Sequence, residues 1–197
     1  MKIICLGDSL TEGDYGVYKK SGIANVKDEN YPYFLSLSLN CEVKNFGRCG
    51  ATPKSYLDFY NGGGVDVKGA DIIILMLGTN GGLTVDNKGE YLQIINNCRR
   101  DNKNARITLC TPPHVTENPE MSNCGYKPNV DNAAVAVKQI AKDENLKLID
   151  INAFEGFNAD NEDIMQSNDG LHFTTLGYKT LASFIEENIK KLYSELF

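Results

Sequence analysis

Residues 71–77 read Asp-Ile-Ile-Ile-Leu-Met-Leu, and Gly78-Thr79-Asn80-Gly81-Gly82 follows at once. A run that is apolar at nearly every position, not at alternate ones, suits a strand covered on both faces. Such a strand belongs inside a parallel sheet with helices packed above and below it.

Similar but weaker runs flank it. Residues 2–6 (KIICL), 41–46 (CEVKNF), 105–110 (ARITLC) and 146–151 (LKLIDI) read as four further strands. Helical spacing fills the gaps. Val130, Ala133, Ala134, Val137, Ile140 and Ala141 recur at steps of three and four over 129–144, with Asn129 as the expected N-cap. Leu181, Phe184, Ile185 and Leu192 mark a C-terminal helix, and Leu92, Ile95 and Cys98 another. Shorter helices are predicted over 31–39 and 52–60, the latter ended by Asn61-Gly62-Gly63-Gly64. Strands alternating with helices imply parallel pairing and right-handed crossovers. The expected fold is α/β: a flavodoxin-like three-layer α/β/α sandwich on a five-stranded parallel sheet of order 2-1-3-4-5, with residues 1–197 forming one domain.

The bulk composition narrows the partners. A formal net charge of −6 argues against nucleic acid and anionic membrane, which bind basic faces. No stretch nears the ~20 apolar residues of a membrane span. The apolar run after Lys2 is too short for a secretory signal, so a cytoplasmic location is expected. The six cysteines (Cys5, Cys41, Cys49, Cys98, Cys110 and Cys124) include no Cys-x-x-Cys pair and read as reduced and structural. Neither His114 nor His172 lies in a ligand-spaced cluster with them, so no metal is expected, nor any other cofactor. Nothing in the sequence specifies an oligomeric state.

In open parallel sheets ligands sit beyond the carboxyl ends of the strands. Those ends carry Gly7-Asp8-Ser9-Leu10, then Asn45-Phe46-Gly47-Arg48-Cys49-Gly50-Ala51-Thr52, then Gly78-Thr79-Asn80, then Thr111-Pro112-Pro113-His114. Asp169-Gly170-Leu171-His172 precedes the last helix. A serine hydroxyl needs an adjacent base, imidazole can serve near neutral pH, and an acid must orient the imidazole. Ser9, His172 and Asp169 fit these roles. The oxyanion of acyl transfer needs pre-placed donors, and the Ser9 and Gly47 N–H groups with the Asn80 amide fit that one.

Four blocks in this order (GDSL at 7–10, NFGRCGAT around Gly47, GTN at 78–80 and DGLH at 169–172) resemble the GDSL, or SGNH, hydrolase family. The resemblance spans nearly the whole chain. It implies a triad of Ser9, Asp169 and His172, oxyanion donors from Ser9, Gly47 and Asn80, and activity as an esterase, lipase, thioesterase or carbohydrate acetylesterase. Gly81 stands where many relatives carry Asp. The Gly-x-Ser-x-Gly elbow of the α/β-hydrolases is absent around Ser9.

Each of these residues also has a plain structural reading. Ser9 alone would be a loop serine or helix cap, Asp169-Gly170 a turn, and His172 a bystander. Asp8 is expected near the pocket as a cap or loop-shaping residue with no chemical step. His114 either lines the pocket or stands exposed on its loop. Gly47 and Gly50 could be turns alone, Asn45 an end-of-strand polar group, and Cys49 a packing residue.

Two non-hydrolase readings compete. A flavin module would need a phosphate-binding loop after the first strand, where Glu12 and Asp14 stand instead. A phospho-acceptor domain would carry Asp at the end of the third strand, where Gly78-Thr79-Asn80 stands. Tyr15, Tyr18 and Tyr31, with Met121, Tyr126 and His114, are expected to shape the pocket. Stacking by the tyrosines on sugar rings makes a small-molecule sugar acetyl ester the first expectation. A short-chain lipid ester, a thioester or a lysophospholipid is the alternative.

Overall fold

Among the described residues, five strands form one parallel sheet in the order β2–β1–β3–β4–β5. They are β1 (Lys2–Gly7), β2 (Glu42–Gly47), β3 (Ile72–Met76), β4 (Arg106–Cys110) and β5 (Lys147–Ile149). This is the expected α/β sandwich and strand order. The computed structural model describes residues 1–13 and 29–197, so the expectations placed on Asp14, Tyr15 and Tyr18 lie outside the described residues.

The pleat explains the continuous apolar run. Ile72, Ile74 and Met76 enter one core with Ile3 and Cys5, while Ile73, Leu75 and Leu77 enter the other with Ile4 and Leu6. Helices α2 (Tyr31–Leu39) and α7 (Thr175–Leu192) cover the first face through Tyr31, Leu35, Leu181, Ile185 and Ile189. Helices α3 (Pro53–Phe59), α4 (Gly89–Asp101) and α5 (Lys127–Asp143) cover the second through Tyr56, Ile94, Ile95, Val137 and Ile140. Each fully buried aliphatic side chain contributes roughly 1.5–3 kcal/mol, so the central strand is the best-anchored element of the sheet.

Local chemistry moved some boundaries. Helix α5 starts ahead of Asn129, because Pro128 occupies the first turn, where a missing N–H costs nothing; Asn129 caps nothing. Strand β5 is shorter than 146–151. Asp150 leaves the ladder, accepting a hydrogen bond from Thr111 Oγ1 and pairing with Lys138. Among the described residues, the one-turn α-helices α1 (Ser9–Glu12) and α6 (Glu162–Met165) lie outside the predicted elements.

The register places the site. Gly7 pairs with Gly47 on one side and Met76 on the other, and Met76 pairs with Cys110. The segments after β1, β2, β3 and β4 therefore emerge together along one edge of the sheet.

Candidate active site

Ser9 is the first residue of α1. Asp8 caps that turn, its Oδ1 accepting the Leu10 N–H at 3.1 Å, while its carbonyl accepts the Thr11 and Glu12 N–H groups. The Ser9 N–H has no acceptor among the described residues. Ser9 is 2% exposed, so its hydroxyl points into protected space.

The second part comes from the loop between α6 and α7. An antiparallel bridge between Gln166 and Phe173 closes that loop, and the Ser167 N–H donates to the His172 carbonyl inside it. Gly170 turns the chain at φ 76°, and a side chain there would run into Thr116. The turn folds Asp169 back on His172. Asp169 Oδ1 accepts from Ser167 Oγ–H at 2.6 Å and from the Leu171 and His172 N–H groups at 2.9 Å each. Oδ2 is left for His172 Nδ1 at 2.6 Å. Burial opposes the charge on Asp169, but the hydrogen bonds and positive partner from His172, with those from Ser167 and the backbone, outweigh it and hold the carboxyl at about 2. An ionised carboxylate only accepts, so Nδ1 carries the proton and Nε2 is the free lone pair. That Nε2 lies 3.0 Å from Ser9 Oγ, across 163 residues of sequence.

The expected oxyanion donors divide. The Asn80 amide donates one hydrogen to the Ala51 carbonyl at 3.1 Å and keeps the other. Gly47 does not fit. Its N–H donates to Asn45 Oδ1 at 2.8 Å, and the Asn45 amide is fixed the other way round by the Thr11 carbonyl at 2.7 Å. Asn45 is thus a clamp between β2 and α1. The turn beyond it is held by Arg48 N–H to the Gly7 carbonyl at one end and by Asn80 to Ala51 at the other. In that turn the Gly50 N–H has no acceptor among the described residues, and Gly50 is exposed. The sequence reading chooses Gly47 and gives Gly50 only as a turn; the Asn45 side chain, which occupies the Gly47 N–H, is what distinguishes them.

His114 makes no hydrogen bond to Ser9. Its Nε2 meets Glu162 Oε1 at 2.7 Å, while Thr116 Oγ–H donates to Glu162 Oε2 at 2.6 Å and the Gln166 amide donates to the His114 carbonyl at 2.5 Å. The Thr116 N–H donates to the Gly170 carbonyl at 2.8 Å and the Asn123 N–H to the Asp169 carbonyl at 3.3 Å. This network braces the loop that carries Asp169 and His172. Glu162, Thr116 and Ser167 were not singled out in the sequence, where only Ser167, two residues before Asp169, hinted at a side-chain turn.

Tyr31, expected at the pocket, is fully buried under α1, its hydroxyl 3.3 Å from Thr11 Oγ1. Gly81 has φ 82°, and a side chain there would press on Asn129. Glu12 Oε2 accepts the Cys49 N–H at 2.6 Å, placing a carboxylate beside the Gly50 turn. All six cysteines are free, and burial pushes the thiols of Cys5 and Cys98 up to about 12, so both stay protonated. Among the described residues no cluster of three or more His, Cys, Asp or Glu is placed to hold a metal, and no helix is long and apolar enough to cross a membrane.

This geometry can be set beside known proteins. The sequence profile of the GDSL-like Lipase/Acylhydrolase family matches residues 5–180. No curated protein sequence matches significantly. Among solved structures, a lipase/acylhydrolase from Enterococcus faecalis is 22% identical with TM-score 0.74, aligned over 96% of this chain and 95% of the other. A carbohydrate acetylesterase family member from Sinorhizobium meliloti is 18% identical with TM-score 0.73, over 98% and 99%. The M. smegmatis aryl esterase is 18% identical with TM-score 0.75, over 97% and 99%. At such identities the likeness speaks for the fold.

Proposed function

The chain belongs to the GDSL-like lipase/acylhydrolase family, whose members act on ester bonds, and on that premise we propose that it removes a short acyl group, acetyl first, from a hydroxylated small molecule such as a sugar. The observation that carries the reading is the line of hydrogen bonds from Asp169 through His172 to Ser9.

Ser9 Oγ attacks the ester carbonyl and passes its proton to His172 Nε2. Asp169 holds the ring and stabilises its cationic form. The carbonyl oxygen becomes negative and is met by the Ser9 N–H and the free Asn80 amide hydrogen, with the Gly50 N–H taking the place expected for Gly47. Collapse expels the alcohol, which takes the proton from His172. Water then repeats the sequence on the acyl-enzyme and releases the acid.

Two features support the substrate class. The Glu12 carboxylate beside the Gly50 turn and the net charge of −6 disfavour phosphate-bearing acyl donors. A similar fold also serves proteins described as carbohydrate acetylesterases. One observation favours a second reading, a short-chain lipid ester: Ile164 and Leu176 are 56% and 49% exposed, and Thr174 Oγ–H to the Ile164 carbonyl ties them near His172. A panel of p-nitrophenyl acetate, butyrate and octanoate with acetylated sugars distinguishes the two. kcat/KM should fall with chain length, and a maximum at octanoate would favour the second. Ser9→Ala should remove turnover by about 10⁴-fold or more without loss of fold; near wild-type activity would reject the nucleophile.

A further inference from the structure

Asp8 is a fully buried carboxylate that the proposed mechanism leaves idle. Its Oδ1 is spent on the Leu10 N–H, but its Oδ2 has no well-formed hydrogen bond. The Thr79 hydroxyl, 1% exposed, and the Tyr91 hydroxyl are likewise buried without a partner. β1 and β3 are neighbours with Gly7 beside Met76, so Asp8 and Thr79 leave adjacent strand ends. After Leu10, the groups that favour a charged Asp8 are the Thr79 hydroxyl, the His172 ring and the Thr79 N–H; Tyr56 and Tyr91 also face it.

We propose that Asp8 is a positioning residue that joins the nucleophile to the oxyanion donor, one oxygen holding the turn on which Ser9 stands and the other holding Thr79 beside Asn80, its negative charge one residue from the serine that meets the ring of His172. The proposal rests on the Ser9–His172–Asp169 reading. It explains why a costly buried charge is kept. Burial pushes this carboxyl up to about 6, so at neutral pH it is ionised and lowers the cost of forming the imidazolium. No proton passes to Asp8 in the reaction.

The test uses Asp8→Asn, Thr79→Val, the double variant and Ser9→Ala, with p-nitrophenyl acetate as substrate. Competent sites are counted by a fluorophosphonate burst, so kcat refers to folded enzyme. Asp8→Asn should lower kcat by roughly 10–100-fold with KM within about twofold, because the lost alignment matters at the transition state. The acid limb of kcat/KM should move to lower pH, since a negative charge near the imidazole is gone. Thr79→Val should show a smaller fall, and the double variant should be no worse than Asp8→Asn, because both act through one carboxylate.

Wild-type kcat per site in Asp8→Asn, an unmoved acid limb, or losses that multiply in the double variant would each overturn the proposal. If Asp8→Asn does not fold, Thr79→Val decides, and unchanged kcat per site there overturns it. Activity surviving in Ser9→Ala would sink the triad reading itself. An inert Ser9→Ala beside a fully active Asp8→Asn would sink this inference alone.

Discussion

Asp169 and His172 are joined at two points: Nδ1–H meets Oδ2 at 2.6 Å, and the His172 backbone N–H meets Oδ1 at 2.9 Å. The acid thus holds both the ring of the proposed base and the backbone from which it springs. A three-residue separation makes this double grip possible, and the turn at Gly170 closes it.

The grip gives Asp169→Asn a defined outcome. The carboxamide keeps the shape, but its N–H₂ can meet Nδ1 and leave the proton on Nε2. kcat should then fall by up to about 10⁴-fold with a native circular dichroism spectrum. A negligible fall would assign the orienting role to another group.

The two histidines should separate in a pH profile. kcat/KM should rise with pH as the proposed base loses its proton. His172→Ala should abolish activity. His114→Ala should keep the limb but lower the melting temperature, because Glu162 loses one of its two side-chain partners. A limb that vanishes with His114 would mean the base has been misassigned.

Asn80→Ala should lower kcat by about 10²–10³-fold, roughly 2.7–4 kcal/mol, while KM moves little, because full charge develops only in the transition state. The hydrogen bond to Ala51 gives Asn80 a structural share too. Melting temperature and kcat taken on one preparation separate the shares. Unchanged kcat per folded molecule would leave Asn80 a purely structural residue.

Asp169 and Asp8 should bend the stability curve in opposite directions. Asp169, held at about 2, contributes stability that is complete above about pH 4 and lost as pH falls through 2, some ~2 kcal/mol by linkage. Asp8, raised to about 6, binds its proton more tightly when folded, so its cost is absent below about pH 4 and full above pH 6. The melting temperature of Asp8→Asn relative to wild type should therefore rise as pH increases from 4 to 6. A gap constant across that window would show that Asp8 does not titrate there.

Much of the fold was legible because burial on two faces leaves a direct mark. Ile72 to Leu77 had to be apolar at each position, and the pleat then divided them between two cores. The ordered blocks named Ser9, Asn80, Asp169 and His172, and the structure brings Ser9, His172 and Asp169 into one line of hydrogen bonds. What stayed hidden depends on partners distant in sequence. Asn45 decides which glycine N–H is free, and Glu162, 48 residues from His114, holds that ring. Tyr31 looked like a pocket aromatic because nothing local in the sequence says which side of α2 meets the sheet.

The 163-residue span between Ser9 and His172 also sets a birth order. A chain emerging from the ribosome presents Ser9 163 residues before His172, which comes just ahead of α7, the helix that packs with α2 on one face of the sheet. On the proposed mechanism, a translation product that stops short of residue 172 lacks its base, and ester cleavage begins only after that residue has been made and its loop seated.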